Sequence, residues 1–212
     1  QFLGSYTFSK VIDDNPTLGA VNPGPGDAQL LSDSLDPSFD RGPGIYDQRH
    51  RFVASGVWEL HYADRLSKPA RTLLSGWEIS GILTVGSGQP YSGLVNFDLN
   101  NDGNAATDRP PGLSRNTFYL PTAVSFDPRV TRRVALTERL RLQVSWDAFN
   151  AFNRVNISSV RTTQFARSTS LAACAIAGTP CLVPQNTGSA AFGSPTTTLD
   201  PRIMQFSAKL IF

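Results

Sequence analysis

Six stretches of this chain alternate apolar and polar residues with a period of two. In the first, Phe2, Gly4, Tyr6 and Phe8 oppose Ser5, Thr7 and Ser9. In the second, Phe52, Ala54, Gly56, Trp58 and Leu60 oppose Arg51, Ser55 and Glu59. Trp77, Ile79, Gly81, Leu83 and Val85 form the apolar row of the third. Asp127, Arg129, Thr131 and Arg133 form the polar row of the fourth, whose apolar row is interrupted by Arg132. The fifth alternates most cleanly, with Leu140, Leu142, Val144, Trp146 and Ala148 against Arg139, Arg141, Gln143, Ser145 and Asp147. The sixth sets Met204, Phe206, Ala208, Leu210 and Phe212 against Gln205, Ser207 and Lys209. Side chains point alternately to the two faces of an extended strand, so each stretch reads as a strand with one apolar and one polar face. The pattern predicts strands over 2–13, 49–61, 76–91, 124–136, 139–150 and 203–212.

Between them, residues 14–48, 92–123 and 154–201 are rich in Pro, Gly, Asn, Asp and Ser and show no period, which predicts long loops. The connections 62–75 and 137–138 are shorter. Strands of about ten residues exceed the globular norm of about five or six and match what a tilted strand needs to cross a bilayer. Long connections at one end and short turns at the other are the layout of an outer-membrane barrel. The expected fold is therefore all-β: an antiparallel meander of about six long strands, part of a transmembrane β-barrel, with long external loops. The long charges on the polar faces suit an aqueous lumen. The glycines and alanines on the apolar faces suit lipid better than a dry core, which needs volume. Trp58, Trp77, Trp146 and Phe149 suit the membrane interfaces. The rival is a soluble sandwich with the same residues packed inward.

Composition narrows this further. The chain has 212 residues, 17 Gly and 15 Pro, which disfavours helix. Its net charge of +2 gives no electrostatic case for nucleic acid. No apolar run reaches the length of a transmembrane helix. The chain opens within a strand, so it is expected to be a segment of something longer. Its two cysteines, Cys174 and Cys181, enclose a short Gly- and Pro-containing loop and suggest a disulfide formed in an oxidising compartment, with free thiols as the alternative.

Several motifs in fixed order carry a resemblance. Asp47-Gln48-Arg49-His50-Arg51-Phe52-Val53 leads a strand ending Trp58-Glu59-Leu60. Gly76-Trp77-Glu78-Ile79-Ser80-Gly81 follows, with Gly86-Ser87-Gly88-Gln89-Pro90-Tyr91 at its end. Thr107-Asp108-Arg109-Pro110 and Phe149-Asn150-Ala151-Phe152-Asn153 come next. Together they resemble the C-terminal end of the barrel in TonB-dependent receptors of the Oar-like type. The last strand, with Phe206, Ala208, Leu210 and the terminal Phe212, resembles the barrel-assembly signal of outer-membrane proteins. The resemblance implies a bacterial outer-membrane location. It implies contact with the bilayer and the barrel assembly machinery, and pairing with the rest of a 22-stranded barrel. It further implies a plug domain through which TonB drives import. Neither a TonB box nor a plug is visible in these residues, so the expected role is wall and external loops, not transport by this segment alone.

One loop suggests metal chemistry. Asp98, Asn100, Asp102 and Asn104, with Asp108 beyond, follow the D-x-N-x-D-G opening of a calcium loop, but Arg109 stands where that loop requires a Glu. The same residues serve equally as turn formers. Calcium is thus the only cofactor in view, and a calcium-dependent surface adhesion or matrix module is the alternative function. A small outer-membrane barrel enzyme or porin is more remote: His50 and His61 flank the second strand at opposite ends and share no nucleophile, so no enzymatic activity is expected.

Overall fold

A computed structural model describes residues 1–14, 36–60, 70, 74–101, 103–168, 181–186 and 191–212. Its central feature is one antiparallel six-stranded sheet built from β1 (Phe2–Phe8), β2 (His50–Glu59), β3 (Trp77–Gly86), β4 (Ala123–Ala135), β5 (Arg141–Phe149) and β6 (Ile203–Ile211). The strands neighbour one another in sequence order from β1 to β6, so the sheet is a meander. The predicted strands appear in the predicted order, with the first and third shortened at their loop ends and the fifth at its turn. Ile12–Asp13 leaves the first strand to pair with Gly42–Pro43, and Pro90–Tyr91 leaves the third to pair with Phe118–Tyr119. In the fifth, Arg139 and Leu140 belong to the turn, where the Leu136 and Thr137 amides both donate to Leu140 O.

The register rows carry two distinct faces across the sheet, although Leu3, Val57 and Ile82 join the polar one. Trp58 lies opposite Ile79, Ile79 opposite Val130, Val130 opposite Trp146, and Trp146 opposite Phe206. The adjacent row on the other face runs Glu78, Thr131, Ser145, Ser207. The apolar row is the exposed one: Trp58 is 59% and Phe206 77% exposed, whereas Thr131 and Ser145 are 2% and 5% exposed. This inverts a water-soluble sheet and rules out the inward-packed sandwich, which needs these aromatics in a common dry centre. From Val124 to Val134 the apolar row of β4 spans about 33 Å at about 3.3 Å per residue. A tilt of about 40° reduces this to the ~25 Å height of a lipid-facing band.

β4 is the longest strand, although it contains Pro128 and Arg132. The Arg133 amide donates to Gly76 O and the Leu136 amide to Leu140 O, so odd-numbered amides of β4 face β3 and even-numbered ones face β5. Position 128 therefore lacks a donor on its β5 side, because proline has no N–H. The β4–β5 register accordingly stops at Arg129 opposite Asp147, while β3–β4 continues to Gly86 opposite Ala123. Beyond the gap, the Asn150 amide donates to Asp127 Oδ1 at 2.8 Å and the Ala151 amide to Phe126 O at 2.9 Å. Asn150 sits at φ 49°, which lets the chain turn out of the ladder there.

The segments expected to be plain loops are not structureless. Within 92–123 and 154–201, Leu94–Val95 pairs in parallel with Thr163–Arg167, which also pairs with Leu182–Pro184. Ile157–Val160 pairs with Pro195–Thr198. These pieces are two to five residues long and obey no readable alternation, which is why the pattern missed them.

Candidate functional site

The polar face of the sheet carries the charges, and they pair across strands. Arg129 binds Asp147, its register partner, and Arg133 Nη2 donates to Glu78 at 2.8 Å. Thr131 and Ser145 hydroxyls meet at 3.2 Å, and Ser125 Oγ donates to Asp127 at 2.6 Å. The Arg129–Asp147, Arg133–Glu78 and Thr131–Ser145 pairs cross between strands and brace the wall, whereas Ser125–Asp127 lies within β4. On this face Ser55, Ser80, Asp127, Arg129 and Asp147 line a cleft of about 530 Å³. Gly56 and Gly81 face each other in the register, on the apolar row, where the Phe2 and Phe126 rings lie close over them.

Above the wall, at the end that carries the long connections, polar links join the loops. Asp47 is fully buried and accepts three hydrogen bonds: from the Val11 amide at 2.8 Å, Arg49 Nε at 2.8 Å and the Tyr119 hydroxyl at 3.2 Å. Burial pushes its carboxyl up, but these donors, led by Arg49, outweigh that and hold it below the ordinary aspartate value. Asp40 and Arg109, both buried, meet at 2.7 Å; Arg109 also donates to Phe39 O at 2.9 Å and lies over the Phe39 ring at 4.9 Å. Arg115 Nη2 donates to Asp13, and burial pushes its guanidinium below its ordinary value. Asn116, at φ 54°, donates to Pro43 O at 2.7 Å and is tied to Ser92. The Tyr119–Asp47, Arg109–Asp40, Arg115–Asp13 and Asn116–Pro43 links join 9–49 to 87–122.

The third connection is tied in by other means. Phe192 packs edge-on to Phe118 at 4.8 Å and beside Tyr91 at 5.9 Å. Arg167 lies over Phe97 at 5.8 Å, and its amide donates to Asn96 Oδ1. The Asn156 side chain forms a two-way bridge with the Val124 backbone, donating at 2.9 Å and accepting at 2.9 Å. The loops thus form one cross-braced cap over the sheet.

A family model described as outer membrane beta barrel domain matches residues 1–114 and 111–205. The chain belongs to that family. No curated protein and no solved structure matches it. As an outer membrane beta barrel domain it is placed in the bacterial outer membrane, with its exposed apolar face against lipid.

Within this barrel domain the predicted calcium loop uses its oxygens locally. Asp98 Oδ2 accepts from the Gly103 amide at 2.9 Å, Asp108 Oδ2 from the Leu99 amide at 2.5 Å, and Asn104 Oδ1 from the Ala106 amide at 3.0 Å. Asp98 Oδ1 is buried without a partner. Asn100 is exposed, and Asp102 lies outside the described residues. Among the described residues no cluster of three or more His, Cys, Asp or Glu is placed to hold a metal. Cys181 is disulfide-bonded, and Cys174 lies outside the described residues. His50 Nδ1 meets the Tyr6 hydroxyl at 2.8 Å and its ring packs on Phe8, whereas Asp47 is committed to the cap; His61 lies outside the described residues. Phe206, Ala208 and Leu210 line the apolar face of β6, opposite Trp146, Val144 and Leu142 of β5.

Sequence reasoning singled out Asp47, Arg109 and the lumen charges only as parts of motifs or faces. It missed Asp40, Asp13, Arg115 and Phe192. Their partners lie far away in the chain, and no local spacing marks them.

Proposed function

We propose that this chain is wall and external cap of an outer-membrane receptor of the TonB-dependent, Oar-like type. The observation that carries the reading is the sheet itself. Its six strands, five of them bilayer-length, leave one edge of β1 and one edge of β6 without a ladder partner among the described residues. Lipid cannot satisfy unpaired backbone groups, so the sheet functions only as part of a larger closed barrel. The ordered motifs around Asp47, Trp77 and Arg109 favour the Oar-like receptor over a simple pore. In this reading the long-loop end faces the exterior and the cap meets the ligand. A plug elsewhere in the receptor, moved by TonB, opens the path through the lumen. The paired charges of the polar face then serve as a stiff, hydrated lining.

The test starts from the whole gene product expressed in bacteria, with a photo-reactive residue at Leu3, on the edge strand β1. Cross-linking to an upstream strand of the same polypeptide is the expected result. Cross-linking between copies makes the barrel an oligomer built of this chain and overturns the single-receptor reading. Co-purification with the periplasmic domain of TonB is expected from the same preparation. Its absence reduces the assembly to a passive pore.

A further inference from the structure

Three apolar side chains interrupt the polar face: Leu3 on β1, Val57 on β2 and Ile82 on β3. They lie in two adjacent rows, one running Leu3, Ser55, Ile82, Asp127 and the other Val57, Ser80, Arg129, Asp147. All three are exposed, and they line the cleft of about 530 Å³. On a wall that faces water, an exposed apolar patch with a polar rim marks a binding surface. The rim here is acidic. Glu59 faces Glu78 in the row on the short-turn side of Val57, while Asp127 and Asp147 lie across the sheet on β4 and β5. Against these four carboxylates the three rows hold one guanidinium among the described residues, Arg129, which is paired with Asp147. Arg133 reaches Glu78 from the next row, so the local balance stays negative. Asp127 has capacity to spare. Its Oδ1 accepts from Ser125 Oγ and from the Asn150 amide, and its Oδ2 has no partner among the described residues.

We infer that this stretch of wall is a binding subsite for an amphipathic cation, an apolar body that carries an amine. Leu3, Val57 and Ile82 take the apolar body, and Asp127 takes the ammonium. Neighbouring strands lie about 4.8 Å apart, so the site reaches about 14 Å from Leu3 to Asp127. Low-dielectric walls focus the negative potential into the passage and raise the local concentration of cations. The same carboxylates repel an acid or a phosphate of equal size. The inference rests on the receptor reading, in which this face lines the lumen, and names the class of solute that the lumen holds.

The experiment uses the whole gene product, purified from outer membranes in detergent. Equilibrium dialysis measures its binding of phenylbutylamine, phenylbutanol and phenylbutyrate, with protein-free micelles subtracting the partition into detergent. The amine is expected to bind about tenfold more tightly than the alcohol, the scale of one hydrogen bond to a charged group, and the acid most weakly. Asp127→Asn, which keeps an acceptor for Ser125 and Asn150, brings the amine down to the level of the alcohol. Ile82→Ser weakens the amine and the alcohol alike. Equal binding of the three probes by the wild-type protein, or a preference for the acid, overturns the subsite whether or not the variants fold. Ile82→Cys in the same protein is expected to react with a water-soluble maleimide. If it does not, another segment of the polypeptide covers the patch, and the subsite is again overturned. None of these measurements involves TonB, so amine binding without TonB co-purification upholds the subsite and counts against the receptor reading alone.

Discussion

Arg109 illustrates how the cap is held. Its charge is buried with that of Asp40, so removing one partner strands the other in a dry setting. Arg109→Ala is expected to destabilise the packing of residues 36–43 on 87–122 by about 3–5 kcal/mol. The measurement is amide hydrogen exchange at Phe39 and Arg41, which should accelerate while β5 stays protected. Asp47 adds a pH dependence. Its carboxyl is held below the ordinary aspartate value of 3.8 in the folded chain. Its stabilisation is thus complete above the unfolded value and is lost as pH falls through the lower folded value. The protection factor of the Val11 amide should fall in acid, and Asp47→Asn should flatten that fall while weakening the cap at neutral pH. None of these pairings was readable in the sequence. Asp40 is an ordinary loop aspartate until a residue far along the chain is brought beside it.

At the level of strands, much was legible. The period-two rows of β5 and β6 survive intact as facing apolar and polar rows, because lipid and lumen impose the same demand on every strand. Arg132 does interrupt the apolar row of β4, as read, without ending the strand, and its guanidinium lies over Trp77. The strand ends were not legible, because residues such as Pro90–Tyr91 keep strand-like composition after leaving the sheet for a partner in the cap. Gly76 is a stricter requirement. It sits at φ 76°, and a methyl group there would lie 2.2 Å from Arg133 O, the backbone that β3 must meet. Gly76→Ala is expected to cost at least about 1–3 kcal/mol in wall stability. Urea unfolding in detergent, followed by tryptophan fluorescence, should show the midpoint fall.

For the molecule as a whole, the decisive asymmetry is that greasy side chains are bare while hydroxyls and carboxylates are covered. Without amphiphile the folded sheet has no acceptable solvent on one side and, among the described residues, two open edges besides. Diluted from urea into buffer, the chain should aggregate; diluted into micelles, it should gain β-type circular dichroism and lose the aggregate. Recovery of a monodisperse species in buffer alone would contradict the assigned orientation of the faces. Fold class came from alternation, and sidedness from the long charges of the polar faces and the small residues and aromatics of the apolar ones, whereas the cap's architecture rests on contacts between distant segments that no local pattern encodes.

The parallel pairing of Leu94–Val95 with Thr163–Arg167 sets an order of events. Closing so long a stretch of chain loses much entropy for few bonds, and it becomes favourable only once β4 and β5 have drawn its ends together. The outward-facing layer is consequently finished last, after the spanning portion is in place. A barrel assembled in that sequence completes its loop layer only once it is already seated.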